Sequence, residues 1–201
     1  MNRFLYRLRF SKTGRARFYS HHDVLRLLER ALRRAAFPLS LSEGYTPRPR
    51  ITFMSALPVG VESLDERVEI ELSEARGTEE FPARLRGQLP EGLEILEAEV
   101  AEGRMAAVAA VYEAEVPGGV DPDAGAVLGV ETLVVERRTP DAVRQVNIRP
   151  WIESISTAGG RVAFTIRITD SGSARPDEVL RALGIPGARV VRVKTVLAAK
   201  K

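Results

Sequence analysis

Phe4-Leu5-Tyr6-Arg7-Leu8-Arg9-Phe10, closed by Ser11-Lys12-Thr13-Gly14, sets how the rest of the chain is read. Phe4, Tyr6, Leu8 and Phe10 fall on one side of an extended backbone and Leu5, Arg7 and Arg9 on the other, giving an apolar face and a largely basic one. Gly14 marks a tight turn, and Arg15-Ala16-Arg17-Phe18-Tyr19 resumes the strand. Ser20-His21-His22-Asp23 then carries a helix-start signature, with Ser20 as N-cap and Asp23 as the capping-box acid. Val24, Leu27, Leu28, Ala31, Leu32 and Ala35 follow at helical spacing, and the helix stops near Phe37-Pro38.

The same reading carries outward. Ile51 to Leu57 and Arg67 to Leu72 read as strands joined through Pro58–Ser63. Glu79 to Leu89 fits a helix, and Leu93 to Val100 a strand. The order β-α-β-β-α-β is the split βαβ, or ferredoxin-like, arrangement. Gly103 to Val108 reads as a linker. Beyond it come a strand at Val111–Val116, a helix over Asp121–Val130, strands at Thr132–Arg137, Arg144–Ile155 and Arg161–Thr169, a helix at Ala174–Leu183 and a strand at Ala188–Leu197. The expected fold is therefore α+β, with two tandem ferredoxin-like (βαββαβ) units on antiparallel sheets, residues 1–103 and 104–201.

Several function classes drop out on composition. The 201 residues contain no cysteine, which removes a cysteine nucleophile, a thiolate zinc site and any iron–sulfur cluster held by this chain. His21 and His22 are the only histidines, so no metal site is expected. No apolar run approaches the ~20 residues that cross a bilayer, and the N-terminus has no signal-peptide core, so no membrane role and a cytoplasmic location are expected.

Charge is more informative than its net value of +3. Residues 1–50 hold 12 Arg/Lys against 3 Asp/Glu, whereas residues 51–105 hold 5 against 13. A polarised chain of this kind suits a phosphate backbone on one side and a protein partner, met by the acidic stretch Glu62–Glu80, on the other. The competing reading is that the opposite charges meet within one domain. Arg7, Arg9, Lys12, Arg15, Arg17, Arg48 and Arg50 are the candidate phosphate contacts, because the planar guanidinium fork matches phosphate oxygens. Phe18, Tyr19 and Tyr45 are interleaved aromatics able to stack on unpaired bases. Arg149, beside Asn147 and Trp151, and Arg175, in the helix-leading loop Ser171–Asp177, extend this nucleic-acid-binding set into the second half. His21 or His22, with Lys12 or Tyr19 assisting, is a candidate acid–base pair; a surface role at a helix start is the alternative.

The runs Phe10–Phe18, Ser20–Asp23, Arg30–Ala35 and Ser42–Pro49, then Ala56–Ser63, Asn147–Pro150 and Gly172–Pro176, resemble the radical-SAM-linked protein family over nearly the whole chain. That family is largely of unknown function, found as separate chains or fused C-terminal to radical SAM proteins, often encoded near ribonuclease E/G and ribosomal proteins. The resemblance implies a non-catalytic accessory protein that binds RNA or presents a substrate to a separate radical SAM enzyme. This chain would bind no cofactor, and the partner would carry the iron–sulfur cluster and S-adenosylmethionine. The alternative is a metal-independent endoribonuclease similar to the CRISPR-repeat processing enzymes, with a histidine base, although the glycine-rich loop of that family is missing near the C-terminus.

Overall fold

The alternating sequence Phe4–Lys12 forms strand β1, which is covered on both faces over most of its length and sets Tyr6, Leu8 and Phe10 in an apolar core. A computed structural model describes residues 3–139 and 142–200 and divides the chain into two compact units, Met1–Ala107 with Leu197–Lys201, and Val108–Val196. The fold is mixed α+β, and its sheets are largely antiparallel.

In the first unit, helix α1 (His21–Arg34) and strands β2 (Ile51–Phe53) and β3 (Glu62–Leu72) precede helix α2 (Glu80–Leu85) and strand β4 (Leu93–Val100). The strand order is β4-β1-β3-β2, with every neighbouring pair antiparallel. Val24, Leu28, Ala31 and Leu32 of α1 and Phe81 and Leu85 of α2 pack on Tyr6, Leu8, Phe10, Val68, Ile70 and Leu72. Each such side chain withdrawn from water contributes about 1.5–3 kcal/mol, which makes this face the main source of the unit's stability. Ser20 and Asp23 form the expected capping box at the start of α1. The helix ends in a Schellman arrangement, in which Phe37 N–H reaches Leu32 O and Ala36 N–H reaches Arg33 O. Ala36, at φ +52°, occupies the left-handed position usually given to glycine.

In the second unit, strand β5 (Met105–Glu115) is followed by helix α3 (Ala124–Gly129) and a separate hairpin of β6 (Val134–Thr139) and β7 (Ala142–Asn147). Then come β8 (Ile152–Ala158), β9 (Arg161–Arg167), α4 (Pro176–Ala182) and β10 (Val190–Ala199). Here the strand order is β10-β5-β9-β8.

Six expected elements are revised. Gly14–Phe18 is a 3-10 turn, not a strand, because Thr13 N–H bonds to Gly92 O and buries only Ala16. This close approach depends on Gly92, at φ +86°, where a Cβ would lie 2.3 Å from Thr13 O. The strand expected at Ile51–Leu57 stops at Phe53, and β3 begins five residues before Arg67, absorbing Glu62–Glu66. The helix expected at Glu79–Leu89 is limited to Glu80–Leu85. Met105 already belongs to β5, so the expected linker is mostly strand. The single strand expected at Arg144–Ile155 is cut in two. Asn147 Oδ1 accepts from Leu133 N–H and Arg149 N–H and turns the chain into a 3-10 segment, Arg149–Trp151.

Candidate nucleic-acid interface

The basic face of β1 lies between two acidic strands. In register, Arg7 faces Glu69 of β3 and Glu99 of β4, and Arg9 faces Glu97. Arg7 donates to Glu99 Oε1 at 2.6 Å, to Glu69 Oε1 at 3.2 Å and to Gly103 O at 2.9 Å. Arg9 donates to Glu97 at 3.0 Å. Arg104 adds a bond to Glu69 at 3.0 Å and another to Glu71, and Met105 N–H reaches Glu69 at 3.1 Å. Glu69 and Glu71 are 2% and 6% exposed. They are therefore not the open protein-docking surface expected of Glu62–Glu80; within the first unit, opposite charges meet across strands. Arg7 Nε and Glu71 Oε2 are left buried without a hydrogen bond, so the network is tight but not fully satisfied.

Other candidates are also engaged. Lys12 is 3% exposed and donates to Tyr19 O at 2.8 Å. Arg17 lies 3.5 Å from Glu62, and Arg50 reaches Leu41 O and stands 3.7 Å from Glu71. Burial removes Arg7 and Lys12 from contact with a phosphate, whereas Arg9, Arg17 and Arg50 would reach one only by sharing or exchanging their carboxylates.

His21 and His22 lie exposed in the first turn of α1. The His21 ring packs edge-on against Phe53 with centroids 4.6 Å apart, and His22 stands 5.9 Å from His21. Neither imidazole makes a hydrogen bond to the described residues, so neither has the orienting partner that fixes the tautomer of a general base. Lys12 is committed to the Tyr19 carbonyl rather than to either ring. Asp23 is held below the ordinary carboxylate range by the Ser20 hydroxyl and backbone N–H.

The loop after α1 has a different character. Ser42 N–H bonds to Arg48 O and Arg48 N–H returns to Ser42 Oγ, closing a hairpin whose stem continues through Arg50 N–H to Ser40 O. Pro47 and Pro49 stiffen it, and Gly44, at φ +125°, supplies its tip. Tyr45 is fully exposed there. The Arg48 guanidinium is exposed and makes no hydrogen bond or ion pair with the described residues. A second exposed aromatic, Phe18 at 59%, has the Arg17 guanidinium 4.7 Å from its ring centroid. Arg15, exposed and unpaired among the described residues, borders a cavity of about 690 Å3 shared with Tyr19 and Glu91. The structure therefore leaves Arg15, Tyr45 and Arg48 open in the first unit.

In the second unit Arg149 is structural, donating to Leu128 O and to Ile152 O, both at 2.8 Å. In the Ser171–Asp177 loop two backbone donors are turned inward: Arg175 N–H bonds to Glu178 Oε2, and Gly172 N–H to Thr169 O. Arg175 itself is exposed. Burial raises the pKa of Glu178, but hydrogen bonds from Arg137 and from Arg175 N–H outweigh it and hold the carboxyl below the ordinary range. Arg137 grips both oxygens, at 2.7 and 2.8 Å, and lies over the Trp151 ring. The sequence reading passed over Arg137, because nothing local distinguishes it from its exposed neighbour Arg138. Among the described residues, no three His, Cys, Asp or Glu are placed to hold a metal, and no helix is long and apolar enough to cross a membrane.

The family described as uncharacterized protein conserved in bacteria (DUF2344) matches residues 5–176. No curated protein matches the chain.

Proposed function

The chain belongs to the bacterial DUF2344 family, and from that premise we propose that it is an accessory protein that binds single-stranded RNA, or presents a substrate, for a separate radical SAM enzyme. The observation that carries the RNA reading is the closed 42–48 hairpin. It projects a fully exposed Tyr45 beside an unpaired Arg48 on a backbone stiffened in advance, a stacking surface next to a phosphate ligand. Arg15 and the Phe18–Arg17 pair repeat the combination of aromatic and cation elsewhere in the first unit. The enzyme partner is supported by the motif resemblance and by the absence of cysteine, which leaves these 201 residues without a thiolate ligand for a cluster of their own. The strand orders β4-β1-β3-β2 and β10-β5-β9-β8 support reading each unit as ferredoxin-like.

Fluorescence anisotropy with a labelled single-stranded RNA tests the interface. Stacking is worth about 1–3 kcal/mol per base, so Tyr45→Ala should weaken binding about 5- to 150-fold. Arg48→Gln should lower affinity and reduce the salt slope by about 0.7. If both variants bind like the parent, the hairpin is not the site. Gel filtration with a cognate radical SAM enzyme tests the partner, and failure to co-elute at micromolar concentrations sinks that part.

A further inference from the structure

Strand β4 ends its sheet: β1 pairs with one of its edges, and no described strand pairs with the other. Such an edge presents unpaired N–H and C=O groups and is ordinarily guarded by charge, by a bulge, or by both. Here the guard has one sign and one row. Ser11 faces Glu94, Arg9 faces Glu97 and Arg7 faces Glu99, so the three glutamates share a face of the sheet. Glu94 and Glu97 are three residues apart and would point to opposite faces of a regular strand. The register shift at Leu96 brings them into line. Glu97 and Glu99 pair inward yet keep 58% and 52% of their side chains open, and Glu94 makes no ion pair among the described residues. Val100, opposite Tyr6 on the other face, is 61% exposed, and Leu96 at the register shift is 37% exposed.

A second copy of this edge would set carboxylate against carboxylate, which is destabilising across strands. A strand with cations at alternate positions would instead meet the glutamate row, with its intervening apolar side chains over Val100. We propose that β4 accepts a basic, extended segment of a partner protein as an added strand. The surface is independent of the 42–48 hairpin and of RNA.

The probe is a fluorescein-labelled peptide of alternating lysine and valine, titrated into the full-length chain at low ionic strength without RNA. Saturable binding is expected, with slowed hydrogen exchange confined to Leu93–Val100. Glu94→Gln with Glu97→Gln should weaken binding about tenfold while leaving the melting temperature close to that of the parent. A peptide N-methylated at alternate valines should lose binding, because the added strand is held by backbone hydrogen bonds. Tyr45→Ala should bind the peptide unchanged, which separates this surface from the RNA reading. Absence of saturable binding up to millimolar peptide, protection elsewhere in the chain, or equal affinity for the methylated peptide or of the glutamine variant overturns the proposal.

Discussion

Glu69→Ala measures how far the first unit rests on its cross-strand charges. The Glu69 carboxylate is 2% exposed and accepts three bonds, from Arg7 at 3.2 Å, from Arg104 at 3.0 Å and from Met105 N–H at 3.1 Å. Charge-assisted bonds contribute about 1.5–3 kcal/mol each, but the loss is smaller than their sum. Arg104 is 42% exposed and keeps Glu71 and water, and Arg7 keeps Glu99 and Gly103 O. What remains is a part-buried Met105 N–H without that acceptor and an Arg7 guanidinium deprived of its buried counter-charge. Removing one partner of a buried pair costs about 3–5 kcal/mol, and the surviving contacts place Glu69→Ala near the lower bound, about 3 kcal/mol. Glu74→Ala is the control. Its side chain is 63% exposed and meets only Arg76, so the change should stay within about 0.5 kcal/mol. Urea unfolding followed by circular dichroism reads both. A loss below about 1 kcal/mol for Glu69→Ala would refute the view that the acidic segment is structural.

Three further outcomes follow from the geometry. Glu178 is more acidic folded than its ordinary value of 4.5, so its contribution is complete above that pH and fades as pH falls through the folded value. Melting curves of Glu178→Gln should lie below the parent at pH 7 and approach it in acid; a constant gap would contradict this. Gly92→Ala forces a Cβ to within 2.3 Å of Thr13 O at a positive φ and should cost about 2–4 kcal/mol by chemical denaturation, whereas a neutral result would mean the turn shifts freely. Ala36→Gly relieves the left-handed alanine at φ +52° and should raise stability by about 0.5–1 kcal/mol; a loss would place the helix stop elsewhere.

The elements that could be read from the sequence are those whose signals are local. The alternation of Phe4–Phe10, the Ser20/Asp23 cap and the spacing from Val24 to Leu32 each reflect one backbone period, and each is found where its residues predict. Arg15–Tyr19 shows the opposite case: it alternates like a strand, but Gly92, more than seventy residues away, sets its conformation. The accessibility of the candidate arginines was hidden in the same manner. Arg7 and Arg15 look alike in sequence, yet Arg7 lies between Glu69 and Glu99 and Arg15 is open, a difference fixed by strand pairing. Tyr45 and Arg48, candidates by residue type, stand exposed because two prolines and a glycine shape the loop that carries them.

The Glu99–Arg7–Glu69 rung also constrains how this chain can change over time. A substitution at any of its positions removes at least one of its ion pairs. Losing Arg7 removes the cation that Glu69 and Glu99 share, and losing either acid leaves the covered Arg7 with one carboxylate instead of two. Exchange for an apolar set is open only if several positions on β1, β3 and β4, together with Arg104, change in concert. The first unit should therefore drift freely along the outer surface of α1 and at the hairpin tip, while these charged positions move as a block or stay fixed.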